Sequence, residues 1–493
     1  MSIQSLDNAD GVRREVSPRL GIKPKSQLGQ FMTPATVARF MASLFSPITL
    51  HTCELLDAGA GVGALSCAFL DRWTLAQGFD FQSAEIVAYE IDDTLRQHLE
   101  SILGSYAERL PVQFHVSSRD FILEAALQSL RGGRFTHAIL NPPYKKINSD
   151  SDHRMILRQA GIETVNLYSA FVALSLALLK PAGQLVAIIP RSFCNGPYYR
   201  PFREFLLQRA ALRHIHLFES RTKAFKDDDV LQENVIILLE RNGCQGEVTV
   251  SHSTDDQFTD LTTHTHPFDR IVFPDDSEQF IYVPESDQHS DIERSEAVRF
   301  SLEDLGVGVS TGPIVDFRLK DHITAMPESG TVPLLYAGHF NGQETHWPKE
   351  GIKLGNAILR NSVTERWLYP NGFYTLVRRF SAKEERRRIV ASVVRPDKFS
   401  GAETLGFENH LNVFHEKKHG LDEHLAYGLA AFLNTTAVDD HFRRFNGHTQ
   451  VNATDLRLMK YPSRASLITL GKWAASQDVL TQAMLDDQLT GLQ

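Results

Sequence analysis

Cysteine and long apolar runs are scarce in this sequence, and both absences limit what the protein can be. The 493 residues include four cysteines and no Cys-x-x-Cys pair. Neither a disulfide framework nor a zinc site is favoured, and we expect no metal. No apolar run approaches the roughly 20 residues that a membrane helix needs, and residues 1–16 lack the apolar core of a signal peptide. We therefore expect a cytoplasmic protein without a membrane partner.

Positive charge is in deficit over the whole chain, which has a formal net charge of -9, but it is unevenly distributed. Residues 255–304 hold fourteen acidic and three basic residues, whereas residues 353–398 hold eleven basic and four acidic ones. Affinity for phosphate depends on local more than on total positive charge. The basic segment is thus compatible with a DNA-binding face, and equally with a solvated helix carrying i,i+4 ion pairs.

The first half of the chain alternates strand-like and helix-like segments. The short apolar runs typical of strands are CELLDAG, AEIVAYEID, VQFHVSS, THAILNPPY, QLVAIIP, LRHIHLF and NVIILLERNG. Helical stretches such as YSAFVALSLALLK separate them. This alternation of strands and helices predicts a doubly wound α/β domain over residues 27–243.

The remaining segments differ from this domain in composition. Residues 1–26 are predicted to be an N-terminal extension, and the acidic, turn-rich residues 244–300 a linker. Residues 301–493 are irregular in pattern and rich in aromatic, glycine and proline residues. This composition favours a recognition domain built from loops and short strands.

Three consecutive strand ends in the α/β domain carry groups suited to adenosine. The loop LLDAGAGVGAL, residues 55–65, follows a strand and opens a helix, so its glycines allow close approach and the helix start offers free amide donors. Glu90 ends the next strand and could accept both hydroxyls of a ribose. Asp120 and Phe121 follow the strand after it, where an acceptor beside an apolar ring suits adenine. The glycine loop and Glu90 would also suit a dinucleotide enzyme, but the ordered set predicts an adenosine pocket.

The fourth predicted strand ends abruptly at a stiff corner. Its apolar run, Ala138 to Leu140, is followed by Asn141, two prolines and Tyr144. The prolines fix the backbone and remove its donors, so the corner presents carbonyl acceptors and an aromatic ring in a rigid arrangement. A plain proline-stiffened turn is the alternative interpretation, and the pocket predicted upstream argues against it.

The order of these motifs resembles that of a known enzyme family. GQFMTP (Gly29 to Pro34), DAGAGVG, YEIDD, RDF, NPPY and GQLVAIIPRSF succeed one another as in the gamma-class N6-adenine DNA methyltransferases of type II restriction-modification systems, the TaqI-like group. FKDDDVLQENVIILLE and FRRFNGHTQVNATDLRLMKYP continue the likeness, the latter to PstI-like members. The resemblance implies a Rossmann-like, S-adenosylmethionine-dependent methyltransferase domain followed by an α+β target-recognition domain. Its implied partners are double-stranded DNA and a separate cognate restriction endonuclease, and a monomer is compatible with it.

The resemblance assigns roles at the stiff corner. The N6 nitrogen of adenine is a poor nucleophile because its lone pair is delocalised into the ring, so acceptors must meet its two hydrogens. In the family's arrangement the Asn141 side chain and the Pro142 carbonyl are those acceptors, and Pro143 helps to keep them rigid. Tyr144 would stack on the base after it leaves the duplex, and Phe225 would stack on its other side.

Two further sets of residues are assigned, one to the cofactor and one to DNA. The residues that the resemblance implies for S-adenosylmethionine are Thr33 and Pro34 near the methionine part, Asp57, Ala58, Gly59 and Gly61 in the glycine loop, Glu90 at the ribose, and Asp120 with Phe121 at the adenine. The residues whose positive charge suggests DNA contacts are Lys145, Lys146, Arg378, Arg379, Arg386, Arg387 and Arg388. The rest of the segment between Tyr144 and Tyr168 carries no chemistry that the motifs assign, and it is predicted to form a loop near the substrate.

Two alternatives from other classes remain. Protein glutamine N5-methyltransferases also use an NPPY corner, on an amide nitrogen, but they are shorter and carry their extra domain before the catalytic one. A non-catalytic DNA specificity protein derived from such an enzyme would not need intact NPPY and glycine motifs. This chain has its additional domain after the catalytic one, and its NPPY and glycine motifs are intact. Both features favour a site-specific DNA adenine methyltransferase that protects host DNA.

Overall fold

The structure is a computed structural model that describes most of the chain. The described ranges are residues 5–16, 32–75, 79–219, 233–274, 276–284, 297–351, 355–381, 385–399, 401–445 and 450–490. The chain divides into two units, Met1–Asp287 and Gln288–Gln493. Within the described ranges, no helix is long and apolar enough to span a membrane, and no three His, Cys, Asp or Glu side chains are grouped to hold a metal ion.

A sheet with nine described strands forms the centre of the first unit. Its strands are β1 Ile48–Ala58, β2 Phe79–Tyr89, β3 Val112–Ser117, β4 Phe135–Leu140, β5 Leu179–Pro190, β6 Ala210–Phe218, β7 Asn234–Arg241, β8 Val248–Ser253 and β9 Thr262–His266. The order across the sheet is β3-β2-β1-β4-β5-β7-β6-β8-β9. β3, β2, β1, β4 and β5 run parallel, and β7 runs antiparallel to both β5 and β6. The strands predicted from the apolar runs are confirmed as β1 to β7.

Helices cover both faces of this sheet. The described ones are α1 Ser5–Val16, α2 Ala35–Ser43, α3 Ala64–Thr74, α4 Asp93–Ala107, α5 Phe121–Ser129, α6 Asp152–Gln159, α7 Leu167–Ala177 and α8 Arg200–Arg209. Adjacent residues of β1 face different cores: Leu55 packs with residues of α1 to α4, and Leu56 with residues of α5 to α8. Successive strand side chains point to opposite faces, so strands that are apolar at consecutive positions bury the sheet on both sides. The predicted doubly wound α/β domain is confirmed.

The predicted linker at residues 244–300 is wrong over much of its length. β8 pairs in parallel with β6, and β9 pairs antiparallel with β8, so both strands extend the sheet. Val248 and Val250 are fully buried and join the core around β6. The acidic, turn-rich neighbourhood concealed this short strand in the sequence. The chain divides at Asp287 instead, and α1 joins the first unit through buried Leu6 rather than standing apart as an extension.

The described part of the second unit combines a six-stranded sheet, a five-stranded sheet and a two-stranded sheet with helices. Its strands are β10 Val298–Phe300, β11 Gly308–Thr311, β12 Ile323–Thr324, β13 Thr331–Leu335, β14 Phe340–Asn341, β15 Glu344–Thr345, β16 Ala357–Leu359, β17 Tyr369–Pro370, β18 Tyr374–Arg378, β19 Ala391–Val394, β20 Thr404–Phe407, β21 Leu411–His415 and β22 Tyr461–Pro462. Its described helices are α9 Glu423–Leu433, α10 Thr436–Phe445, α11 Ala453–Leu458, α12 Arg464–Ala475 and α13 Gln482–Thr490. One sheet has the order β11-β21-β18-β19-β15-β14 and another β12-β16-β13-β20-β17, while β10 pairs with β22. The predicted α+β second domain is confirmed.

The basic segment of the second unit is irregular over residues 385–390, so the solvated helix suggested by its charge pattern is absent there. Arg388 is fully buried within it. Its Nε donates to Ser381 Oγ at 3.1 Å, and its guanidinium carbon lies 5.5 Å from the centre of the Phe442 ring. The prediction that Arg388 contacts DNA is therefore wrong, because a sequence does not show which guanidinium groups of an arginine run turn inward.

The neighbouring arginines differ in their partners and in their exposure. Arg387 donates to the Thr435 carbonyl at 2.9 Å and so is bonded within the unit. Arg378 pairs with Glu385, and Arg379 donates to a backbone carbonyl at 3.1 Å. Arg386 is exposed. Arg386 is therefore the exposed candidate for a phosphate contact in this segment, whereas Arg378 and Arg379 are half-buried and, like Arg387, bonded within the unit.

Arg388→Ala is expected to destabilise the protein by about 1–3 kcal/mol, because Ser381 loses a buried hydrogen-bonding partner. Arg386→Ala removes an exposed guanidinium nearby and should change the free energy of unfolding by less than about 0.5 kcal/mol. Denaturant unfolding followed by circular dichroism measures both values. Equal effects of the two substitutions would contradict the structural role of Arg388.

Candidate active site

A cavity of about 270 Å³ lies at the carboxyl ends of the parallel strands in the first unit. Residues that follow β1, β2, β3 and β4 all contribute to its wall, together with Thr33 before α2. Ligands of open parallel sheets bind at this edge, where strand ends and helix N-termini meet. The cavity therefore brings together motifs that are far apart in the sequence.

The glycine loop between β1 and α3 forms one side of the cavity. Gly61 and Gly63 have φ angles of 57° and 89°, a region that favours glycine. A Cβ on Gly61, which lines the cavity, would meet no atom within 4 Å, whereas a Cβ on Gly63 would lie 2.6 Å from Leu99 Cδ1. Both positions thus favour glycine for their backbone conformation, and Gly63 also for the close approach of Leu99.

Glu90 anchors this loop from the end of β2. It is 4% exposed, its Oε2 accepts from Gly61 N at 2.9 Å, and its Oε1 accepts from Asp92 N at 2.8 Å. Burial raises the pKa of the Glu90 carboxyl, while the two backbone amides oppose that shift by stabilising the charge. A carboxylate offers about four acceptor positions, so this side chain retains capacity for a ligand in the cavity that it lines.

Asp57, Ala58 and Pro34 do not line the cavity, although the sequence analysis assigned them to the cofactor. Asp57 and Ala58 are fully buried at the end of β1. Asp57 Oδ2 accepts from Ser66 Oγ at 2.6 Å, which joins β1 to α3, and burial raises the pKa of this carboxyl to about 7. Pro34 is the residue before α2. Asp57 thus supports the glycine loop from below, and Gly59 and Gly61 line the cavity.

Asp120 and Phe121 close the cavity on the β3 side. Asp120 is the N-cap of α5, where its Oδ1 accepts from Leu123 N at 3.2 Å, and its Oδ2 lies 2.9 Å from His153 Nε2. Burial opposes ionisation of Asp120, but its hydrogen bonds outweigh that effect and lower its pKa. Phe121 is buried and packs against Phe171, with ring centres 4.9 Å apart. A charged acceptor thus stands beside aromatic rings, as the sequence predicted.

Asn141, at the end of β4, lines the same cavity. Its Nδ2 donates to Thr33 Oγ1 at 3.1 Å, and its Oδ1 accepts from the Tyr144 hydroxyl at 3.2 Å. Thr33 is buried, so the side-chain amide is oriented by a fixed neighbour. Pro143 lines the cavity beside Asn141, and Pro142 is buried. The corner is therefore a rigid acceptor site that opens on the cavity.

Tyr144 is half-buried next to this corner. Its hydroxyl also lies 3.2 Å from the Ile188 carbonyl of β5, and its ring meets Tyr168 edge to face, with centres 6.1 Å apart. Burial raises the pKa of the hydroxyl, so Tyr144 remains a neutral donor. The two lysines that follow, Lys145 and Lys146, are exposed. Phe225 lies outside the described residues.

Several wall residues were missed by the sequence analysis. Ile91 directly follows Glu90 and could have been found from that neighbour alone. Phe171 and Leu167 come from α7, which the sequence identified only as a helix, and His153 comes from a segment without a motif. These three residues reach the cavity only because α6 and α7 pack beside α5.

Comparison with known proteins identifies the family. Residues 68–225 match the family model described as Eco57I restriction-modification methylase. The chain is 50% identical to the type II methyltransferase M.BsuBI of Bacillus subtilis, over 99% of this chain and 98% of that protein. It is 42% identical to the type II methyltransferase M.PstI of Providencia stuartii, over 93% and 91%.

A solved structure shares the fold over nearly the whole chain. The DrdV–DNA complex, determined by cryo-electron microscopy, aligns with a TM-score of 0.50 at 12% identity, over 95% of this chain and 59% of that chain. This likeness concerns architecture alone. The close relatives establish identity: the chain belongs to the type II DNA methyltransferases of restriction-modification systems, as its order of motifs predicted.

Proposed function

We propose that this protein transfers the methyl group of S-adenosylmethionine to N6 of an adenine turned out of a short duplex recognition sequence. In the cell this modification would protect host DNA from a cognate restriction endonuclease. The observation that carries the proposal is the position of Asn141, whose oriented amide lines the same cavity as Glu90 and Asp120.

The cavity fits an adenosyl cofactor in chemistry. S-adenosylmethionine supplies the methyl group when it is bound. Glu90 would accept hydrogen bonds from ribose hydroxyls, and Asp120 would accept from the adenine amine beside Phe121. Gly61 would present its backbone to the ligand between these groups, since it lines the cavity and its amide already donates to Glu90. Thr33 would contact the methionine part.

Asn141 would activate the target nitrogen by accepting one of its hydrogens, and the Pro142 carbonyl would accept the other. Two acceptors favour a nitrogen closer to tetrahedral, whose lone pair is then directed outward for an in-line displacement. Asn141 Nδ2 donates to Thr33 and Oδ1 accepts from the Tyr144 hydroxyl, which leaves the second acceptor direction of that oxygen for the target amine. Tyr144 and Phe225 would hold the base by stacking.

DNA contacts are proposed for exposed basic residues. Lys145 and Lys146 follow the corner directly and are exposed, so they are suited to a phosphate near the extruded base. In the second unit, which we propose reads the target sequence, Arg386 is the corresponding exposed candidate, whereas Arg378 and Arg379 are half-buried. The contributions of the exposed residues should show as a dependence of DNA affinity on salt.

The test is methylation of an unmethylated plasmid by the purified protein with isotope-labelled S-adenosylmethionine. Mass spectrometry of the nucleosides should find N6-methyladenine, and long-read sequencing should place it in one short sequence context. N4-methylcytosine as the product would overturn the adenine assignment. Label recovered on glutamine of a protein substrate, or no transfer to any acceptor, would support one of the two alternative classes instead.

Thr33→Val is expected to slow methyl transfer about 5- to 30-fold, because it removes the hydroxyl that accepts from Asn141 and so releases the amide orientation. Thr33→Ser keeps the hydroxyl and should stay close to the unmodified protein. Single-turnover measurements at saturating S-adenosylmethionine isolate this effect from cofactor affinity. A Thr33→Val protein as fast as Thr33→Ser would remove the orienting role.

A further inference from the structure

The segment between the NPPY corner and α7, to which the sequence motifs assigned no chemistry, forms part of the cavity wall. Lys145 and His153 of this segment line the cavity, as does Leu167 at the start of α7. The base of the segment is closed by backbone hydrogen bonds, from Leu167 N to Lys145 O at 2.7 Å and from Ile147 N to Val165 O at 2.8 Å. These hydrogen bonds hold the two ends of the segment together beside the predicted adenine site.

Helix α6 carries His153 into this wall. Ser151 caps the helix by accepting from Arg154 N, and Leu157 is fully buried in the same core as Ile122 of α5. Arg154 also pairs with Glu163, which lies between α6 and α7. Three separate contacts thus fix the helix, and with it the position of His153 in the first turn.

His153 bonds to the residue that the proposed function assigns to the adenine amine. Its Nε2 lies 2.9 Å from Asp120 Oδ2, and the hydrogen bond to Asp120 raises the pKa of His153. The other oxygen, Asp120 Oδ1, accepts from Leu123 N at 3.2 Å. Both oxygens are therefore held by donors, which together set the plane of the carboxylate. Since each oxygen has two acceptor directions, Oδ2 can still accept from a ligand amine.

We propose that His153 is a positioning residue that orients Asp120 as an acceptor, and that this pair makes the cofactor site selective for 6-aminopurines over 6-oxopurines. The inference rests on the proposed function, because it takes the ligand at Asp120 to be the adenine of the cofactor. A 6-oxopurine presents an oxygen where the amine would be. An oriented carboxylate would meet that oxygen as a second acceptor and reject it.

The probes for this selectivity are S-adenosylhomocysteine and its 6-oxo counterpart S-inosylhomocysteine, whose binding to the full chain is measured by calorimetry. The unmodified protein should prefer S-adenosylhomocysteine by at least about tenfold. His153→Ala should reduce that preference roughly three- to tenfold, by weakening S-adenosylhomocysteine and sparing S-inosylhomocysteine. His153→Gln, whose amide can still donate to Asp120, should retain most of the preference. In an Asp120→Ala background, His153→Ala should cause no further change.

Met155→Ala is the matched control, since Met155 is on the same helix with 51% of its surface exposed. It should leave both affinities unchanged. Equal weakening of both probes by His153→Ala, or an undiminished preference, would overturn the inference, and so would a lack of preference in the unmodified protein. If neither S-adenosylhomocysteine nor S-adenosylmethionine binds, the proposed function itself fails, which is a distinct result.

Discussion

Asn141→Ala is expected to slow methyl transfer to duplex DNA by roughly 100-fold or more, the usual loss when a preorganised hydrogen-bonding group is removed from a reacting centre. The bond from Asn141 Nδ2 to Thr33 orients the Asn141 carbonyl, so little reorganisation is needed in the reaction step. Alanine removes the acceptor and leaves the cavity wall otherwise in place. Single-turnover transfer with saturating cofactor measures the loss.

Measuring cofactor affinity distinguishes a loss of catalysis in Asn141→Ala from a general disruption of the site. S-adenosylmethionine should bind Asn141→Ala nearly as well as the unmodified protein, because Glu90 and Asp120 are untouched. Gln113→Ala is the control, since it removes an exposed amide from β3 at the edge of the sheet and should leave the rate unchanged. An Asn141→Ala protein that methylates at a near-normal rate would exclude the proposed role.

Glu90→Ala is expected to weaken S-adenosylmethionine binding by roughly 10- to 150-fold, which corresponds to about 1.5–3 kcal/mol for a hydrogen bond to a charged group. Two effects combine in this substitution. The ribose hydroxyls would lose their acceptor, and the amides of Gly61 and Asp92 would lose the carboxylate that they now share. Isothermal calorimetry with purified protein measures the affinity.

Glu85→Ala provides the comparison for that result. Glu85 belongs to the same strand, β2, but pairs with Arg134 and does not line the cavity. Its removal should leave cofactor affinity unchanged. The free energy of unfolding should change little, because partly exposed ion pairs generally contribute little to stability. If Glu90→Ala binds S-adenosylmethionine as tightly as Glu85→Ala does, the assignment of the cavity to the cofactor is wrong.

The pattern of apolar residues predicted the strands correctly where both faces of the sheet are buried. The strands of the parallel part of the sheet were found because apolar residues at consecutive positions signal burial on both faces, as Leu55 and Leu56 show. The pattern failed at β8 and β9, where acidic and turn-forming neighbours hid a buried strand. It also failed at Arg388, because a charged residue in a basic run gives no sign that its side chain is buried.

The sequence by itself determined the fold class, the family and the acceptor corner, since strand ends in a parallel sheet meet at one edge and the motifs at those ends stand in a defined order. Only the tertiary structure decided which of those residues face the cavity: Gly61 and Glu90 line it, while Asp57 stands behind it. It alone brought His153 to Asp120 and Thr33 to Asn141, across 33 and 108 residues. Contacts of this kind depend on how helices pack on the sheet, and local periodicity does not record them.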